Sequence, residues 1–270
     1  MRANRDRRAL VVALAIGLAT AVAGCGSATS TTTGQTSGAG SSPGSGTTAS
    51  GGGTGPTVLA AASLTKVLPE IAPGAKYTFG GSGALETDIE QGAPADVFAA
   101  ASSKQPAELL AKGLVEKPVE FATNTLVLIV PRDNPAHIKS VADITRPGVK
   151  LVICDASVPC GDYARKAFEN LGITAPAMKN VVSQTTDVTQ TVAEVALGQA
   201  DAGFVYITDA KAAGSKVSVV RLPAQAKPGA KDYIAVVKSA PHLAAAKAFV
   251  ALILSPAGQA KLRAAGFGAP

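Results

Sequence analysis

The sequence predicts an α/β fold whose sheets are built largely from parallel strands. Two observations predict it. Short apolar runs alternate with helical stretches along residues 57–265, which is the pattern of strand–helix–strand crossovers. Several apolar runs also feed their helix through a junction of serine and glycine, the composition expected where a strand turns directly into a helix N-terminus.

The elements follow in order. Residues 57–62 form an apolar strand, then come Ser63 and a helix over 64–71. Residues 76–79 form a second strand, followed by Gly80-Gly81-Ser82-Gly83 and a helix over 84–91. A strand at 96–100 precedes a helix near 105–112 that stops at Gly113. Residues 124–130 read as one long strand ended by Pro131, and 140–144 as a short helix capped by Ser140. A strand at 150–154, a helix at 161–171 and a strand at 180–182 come next. In 187–209, Asp187 stands at an N-cap, and Val188, Val192, Val195 and Ala196 recur at helical spacing. Gly198 ends that helix, and 202–206 form a buried strand ending in Tyr206. Strands at 216–221 and 233–238 precede two terminal helices, 241–254 and 256–265, each with proline in its first turn.

The N-terminal part is of another kind. Arg2, Arg5, Arg7 and Arg8 precede an apolar run over 9–23, and Val22-Ala23-Gly24 precedes Cys25. This is a lipoprotein signal peptide, 1–24, cleaved before a cysteine that receives lipid. The run is shorter than the ~20 residues a membrane span needs. Residues 26–56 contain only Gly, Ser, Thr, Ala, Pro and Gln, a disordered linker with a reach of about 30 Å. The chain is therefore expected outside the cytoplasmic membrane, anchored to its outer face through Cys25. Of the formal charge of +6, the leader holds four Arg and one Asp, which leaves the mature chain near +3. Neither that charge nor a chain without Trp suits a nucleic-acid partner.

Four junctions gather donors. Ser63 follows a buried strand, Ser82 lies among glycines, Cys160 opens the helix after Pro159, and Val188 follows the capping Asp187. Tyr206 adds a hydroxyl at a strand end. Each feature alone also reads as an ordinary cap or packing residue. Together they make a set of O–H and N–H donors without Lys or Arg, suited to a bare oxyanion at helix N-termini. The carboxylate at these junctions, Asp187, is read as a helix cap, so no acidic acceptor is assigned to the proton of a protonated anion.

The segments VLAAASLTKVLPEI, FGGSGAL, GAPADVFAAAS, FATNTLVLIVP, VPCGDYA and GQADAGFVYITDA resemble those of the periplasmic molybdate-binding proteins of ABC transporters. The resemblance covers most of 57–209 and weakens beyond Lys211. It implies a two-lobed, type II periplasmic-binding-protein fold with a two-strand hinge: lobe I from 57–123, lobe II from 124–232, and a return segment of lobe I from 233–270. It implies a monomer that closes on molybdate or tungstate and delivers it to an ABC permease, with no catalytic residue, cofactor or resident metal. The implied oxyanion contacts are the hydroxyls of Ser63, Ser82 and Tyr206 and the backbone N–H groups of Cys160 and Val188. Cys160 replaces the family's usual alanine, which an amide contact tolerates.

Alternatives remain at this level. Sulfate asks for the same donors. Cys154 and Cys160, with five residues between them, form a disulfide in an exported chain, or else Cys160 is a reactive thiol of an extracytoplasmic enzyme. His137 and His242 stand isolated and are expected at the surface, without the spacing of a metal site.

Overall fold

The computed structural model describes residues 55–270. The expected signal peptide, the lipid-bearing Cys25 and nearly all of the linker lie outside the described residues. The strands form two five-stranded sheets. The first contains β1 (Thr57–Ala61), β2 (Lys76–Gly80), β3 (Val97–Ala100), β4 (Val119–Asn124) and β10 (Ala230–Val236), in the order β2-β1-β3-β10-β4. The second contains β5 (Leu126–Pro131), β6 (Leu151–Cys154), β7 (Val181–Thr185), β8 (Ala202–Tyr206) and β9 (Val217–Val220), in the order β7-β6-β8-β5-β9.

The expectation of mainly parallel sheets is corrected. In each sheet two strand pairings are parallel and two antiparallel. The parallel pairs are those linked by helices. The strands that carry the chain from one sheet to the other, β4, β5 and β10, have no crossover helix to reverse them, and so they pair antiparallel. The strand expected over 124–130 is β5, which starts at Leu126; β4, in the other sheet, was not expected, and Thr125 alone separates the two. The break carries no compositional signal, because the residue between the two strands needs no special side chain. The return strand begins at Ala230, earlier than 233.

The helices are α1 (Val67–Ile71), α2 (Ser82–Glu90), α3 (Lys104–Ala111), α4 (Pro159–Leu171), α5 (Thr174–Lys179), α6 (Val188–Ala196), α7 (Ile207–Ala213), α8 (Leu243–Leu254) and α9 (Pro256–Ala265). Two of them escaped the sequence reading. α7 starts directly after β8, with Asp209 accepting the Tyr206 N–H at 2.9 Å, so no loop composition announces it. α5 is short and holds Pro176, too brief for periodicity to register.

One apolar core runs through both sheets and includes Phe121, Phe168 and Phe204, with Phe168 and Phe204 meeting edge to face at 5.2 Å. A smaller cluster of Leu59, Leu85, Ile89, Phe98 and Leu109 fills the space between the first sheet and α2 and α3. Gly203 lies where a Cβ would meet Thr191, Val152 and Val195 side chains at 2.9 Å, so α6 packs on β8 across a bare backbone.

His242 corrects a second expectation. It is exposed, as expected, but not isolated: its backbone N–H donates to Asp96 Oδ1 at 2.7 Å, and its Nδ1 lies 3.0 Å from Asp96 Oδ2. Asp96 also accepts the Thr57 N–H at 2.7 Å, which ties the starts of β1, β3 and α8 together. Burial works against the carboxylate, but these hydrogen bonds outweigh it and hold Asp96 below its ordinary value. Replacing Asp96 by alanine is expected to cost about 2 kcal/mol in urea unfolding at neutral pH, because it strips the part-buried Thr57 and His242 amides of their charged acceptor. The stabilisation is fully present above the unfolded-state carboxylate value near 4 and is lost as pH falls through the depressed folded value. The wild-type midpoint should therefore fall toward that of Asp96→Ala in acid.

Candidate functional site

All five site residues picked out in the sequence line one small cavity. The first sheet supplies Ser63, in the turn after β1, and Ser82, the first residue of α2 after β2. The second sheet supplies Cys160 in the first turn of α4 after β6, Val188 at the start of α6 after β7, and Tyr206 at the end of β8. Each is 9% exposed or less. The remaining lining residues are Ala61, Ala62, Gly80, Gly81, Ala101, Val158 and Pro159, so no charged side chain faces the space.

The donors differ in how they are held. Ser63 Oγ and Tyr206 Oη are buried and meet no hydrogen-bond partner within the protein. Ser82 Oγ accepts the Ala101 N–H at 3.2 Å, which leaves its own proton free to point into the cavity. Asp187 Oδ1 accepts from Thr189 and Gln190 N–H at 2.8 and 3.0 Å. The cap thus satisfies the second and third amides of α6 and leaves the Val188 N–H for the cavity. Cys160 N–H lies among the first-turn amides of α4, which have no acceptor within the helix. Burial, and after it the neighbouring Tyr163, Asp232 and Asp209, hold the Tyr206 phenol well above its ordinary value, so it stays a neutral donor. Three helix starts add positive potential without a formal charge.

The frame around these donors is tight. Cys154 and Cys160 are joined as a disulfide with their Cα atoms 5.9 Å apart, so the sulfur of Cys160 offers no thiolate. Arg165 Nη1 donates to the Cys154 and Gly161 carbonyls at 3.1 and 3.0 Å, and Asp155 Oδ1 accepts from Ser157 N–H and Oγ–H at 2.9 and 2.8 Å. A Cβ on Gly161 would sit 2.0 Å from the Asp155 carbonyl, so only glycine fits there.

The glycines around Ser82 have a use that the sequence did not disclose. A Cβ on Gly81 would lie 2.4 Å from the Thr186 carbonyl, and one on Gly83 2.6 Å from the Ser157 carbonyl. Both carbonyls belong to loops of the second sheet. The glycines therefore let the two halves approach backbone to backbone beside the cavity. Ala101, which orients Ser82, was also not singled out; a plain alanine amide carries no compositional signal. A larger open cavity of about 370 Å³, bordered by Lys66, Lys211 and Lys261, shares only Ser63 with the buried one.

A two-sheet α/β architecture closed over a ring of neutral donors defines a solute-binding protein. Residues 56–268 match the family described as bacterial extracellular solute-binding protein, and the chain belongs to that family. It is 40% identical over 223 residues to the molybdate-binding protein ModA of Mycobacterium tuberculosis, covering 79% of this chain and 84% of that one. Among solved structures, the periplasmic molybdate-binding protein of Azotobacter vinelandii superposes with a TM-score of 0.71 at 24% identity, over 79% of this chain and 99% of that one. The sulfate-binding protein SubI of Mycobacterium tuberculosis superposes with a TM-score of 0.69 at 21% identity, over 79% and 86%. These two likenesses establish the fold.

Removing the disulfide by Cys154→Ser with Cys160→Ser is expected to lower the unfolding free energy by about 2 kcal/mol, as suits so short a closed loop. Guanidinium titration of the variant against the oxidised wild type checks this.

Proposed function

We propose that this chain is the extracytoplasmic solute-binding component of an ABC importer and that its solute is molybdate, with tungstate as a second ligand. The observation that carries the reading is the convergence of five uncharged donors from two sheets on one buried cavity, with Ser63 Oγ and Tyr206 Oη left without internal partners. An acceptor-only dianion satisfies every one of them, whereas a ligand with its own protons does not. The name of the Mycobacterium relative, at 40% identity, supports molybdate in particular.

In this reading the two sheets are the cores of two lobes. The chain crosses between them at Thr125 and returns between β9 and β10. Opening parts the Ser63 and Ser82 hydroxyls from the donors of the second lobe. Ligand favours the closed form by bonding to both sides at once, and the closed form is the one that docks on the permease. The protein acts as a monomer and binds rather than catalyses. It is held at the outer face of the cytoplasmic membrane by lipid on Cys25, with 26–56 as tether.

Sulfate is the second reading, because a sulfate-binding protein shares the fold and sulfate presents the same four acceptor oxygens. Cavity size then decides between the ions.

Calorimetric titration of the mature protein with molybdate, tungstate, sulfate and phosphate tests the assignment. Molybdate is expected to bind tightest; a sulfate preference, or no molybdate heat, would overturn it. Tyr206→Phe, which removes one hydrogen bond to a charged ligand, should weaken molybdate by about 2 kcal/mol, roughly thirtyfold. Cys25→Ala should release the protein from the membrane fraction into the soluble one without changing its affinity.

A further inference from the structure

We propose that Asp232 is a proton acceptor set into the seam between the two sheets, so that closure on the oxyanion takes up one proton from solvent. The proposal rests on the oxyanion-binding reading above.

Asp232 lies on β10, the strand by which the chain returns to the first sheet, beside the register shift between Asp232 and Tyr233. It is 1% exposed, and neither carboxyl oxygen meets a hydrogen-bond partner. Asp96, the other fully enclosed carboxylate of that sheet, collects three bonds. An ionised carboxylate so enclosed and without a donor is strongly disfavoured, and the neutral acid is the form such a place accepts.

The groups around it come from both halves. α4 brings Tyr163, whose hydroxyl lies near the backbone of Lys231, next to Asp232 on the same strand. β8 brings Tyr206, with the two tyrosine rings 6.4 Å apart and edge to face. α7 brings Asp209, and β4 brings Glu120, both of like charge. Lys231 turns its ammonium away to Glu120 at 2.8 Å, and the Tyr233 hydroxyl bonds to the same Glu120 at 3.0 Å. Burial first, then Asp209 and Glu120, hold the Asp232 carboxyl well above the usual carboxylate range. Asp209 is itself raised to about 7 by burial, but it keeps the Tyr206 N–H as a partner.

Tyr163, Tyr206 and Asp209 all belong to elements of the second sheet, while Asp232 and Glu120 belong to the first. Parting the sheets removes the cover from Asp232, water reaches it, and it ionises near the ordinary value of about 4. Closing covers it again and returns the proton. A dianion held by Tyr206 adds a further negative charge nearby and reinforces the neutral acid. The closed form therefore carries one more proton than the open form at neutral pH. Affinity then falls as pH rises, by about tenfold per unit between the open-form and closed-form values.

The test is calorimetric titration of the mature protein with molybdate at pH 7, in two buffers of different ionisation heat. Wild type is expected to take up close to one proton per molybdate. Asp232→Asn is expected to take up none and to bind with an affinity flat between pH 6 and 8. No uptake in wild type, or unchanged uptake in Asp232→Asn, would each overturn the assignment. Should Asp232→Asn fail to fold, infrared difference spectra of wild type decide: molybdate must raise a protonated-carboxyl band, and its absence overturns the proposal. Binding without proton uptake defeats this inference alone. No binding of any oxyanion defeats the functional reading with it.

Discussion

The structure depends on two hydroxyl groups that have been taken out of water and given nothing in return. Ser63 Oγ and Tyr206 Oη are enclosed, and neither has a partner within the chain. Leaving each so costs about 1–3 kcal/mol. They come from opposite sheets and face the same space, so a single acceptor-rich guest satisfies both. The amides of Cys160 and Val188 and the proton of Ser82 point to the same requirement. The cavity offers donors to negative charge without containing a positive one, with oriented dipoles at three helix starts in place of a cation.

Such a ring functions only if its members cannot relax toward one another or toward the protein. Much of the surrounding architecture serves this. The Cys154–Cys160 bond, Arg165 on two carbonyls and Asp155 on Ser157 pin the loop that presents Cys160. Asp187 satisfies the amides next to Val188 and spares Val188 itself. Asp209 fixes Tyr206 from behind by accepting its N–H. The closeness of Gly81 and Gly83 to carbonyls of the second sheet brings the two halves within backbone contact. Side chains there would hold the halves apart and leave the hydroxyls wet. Asp232 belongs to the same seam: the enclosure around the donor ring also holds a neighbouring acid well above the usual carboxylate range.

Most of the candidate site was legible in the sequence. Ser63, Ser82, Cys160, Val188 and Tyr206 stand at strand–helix junctions, and a junction of that kind has a local signature: an apolar run, a small polar residue, a cap. Asp187 as N-cap and the strand ending at Tyr206 follow from spacing alone, and both occur as expected. What was not legible shares a different character. The break at Thr125, the antiparallel pairing of β10, the helix that starts without a loop at Ile207, and the Asp96–His242 contact all depend on residues far apart in the chain. His242 looked isolated because its partner is 146 positions away.

By itself, then, the sequence determined the alternation of strands and helices, the positions at which most helices begin, and the absence of Lys and Arg from the donor segments. These are local properties, written in hydrophobic period and in capping residues. Tertiary structure alone decided that five junctions meet in one cavity, that each sheet is half antiparallel, and that Asp232 is sealed without a partner. The reason is physical. Burial and unmet hydrogen-bonding capacity are properties of a place and not of a residue, and a place exists only once the two sheets have come together.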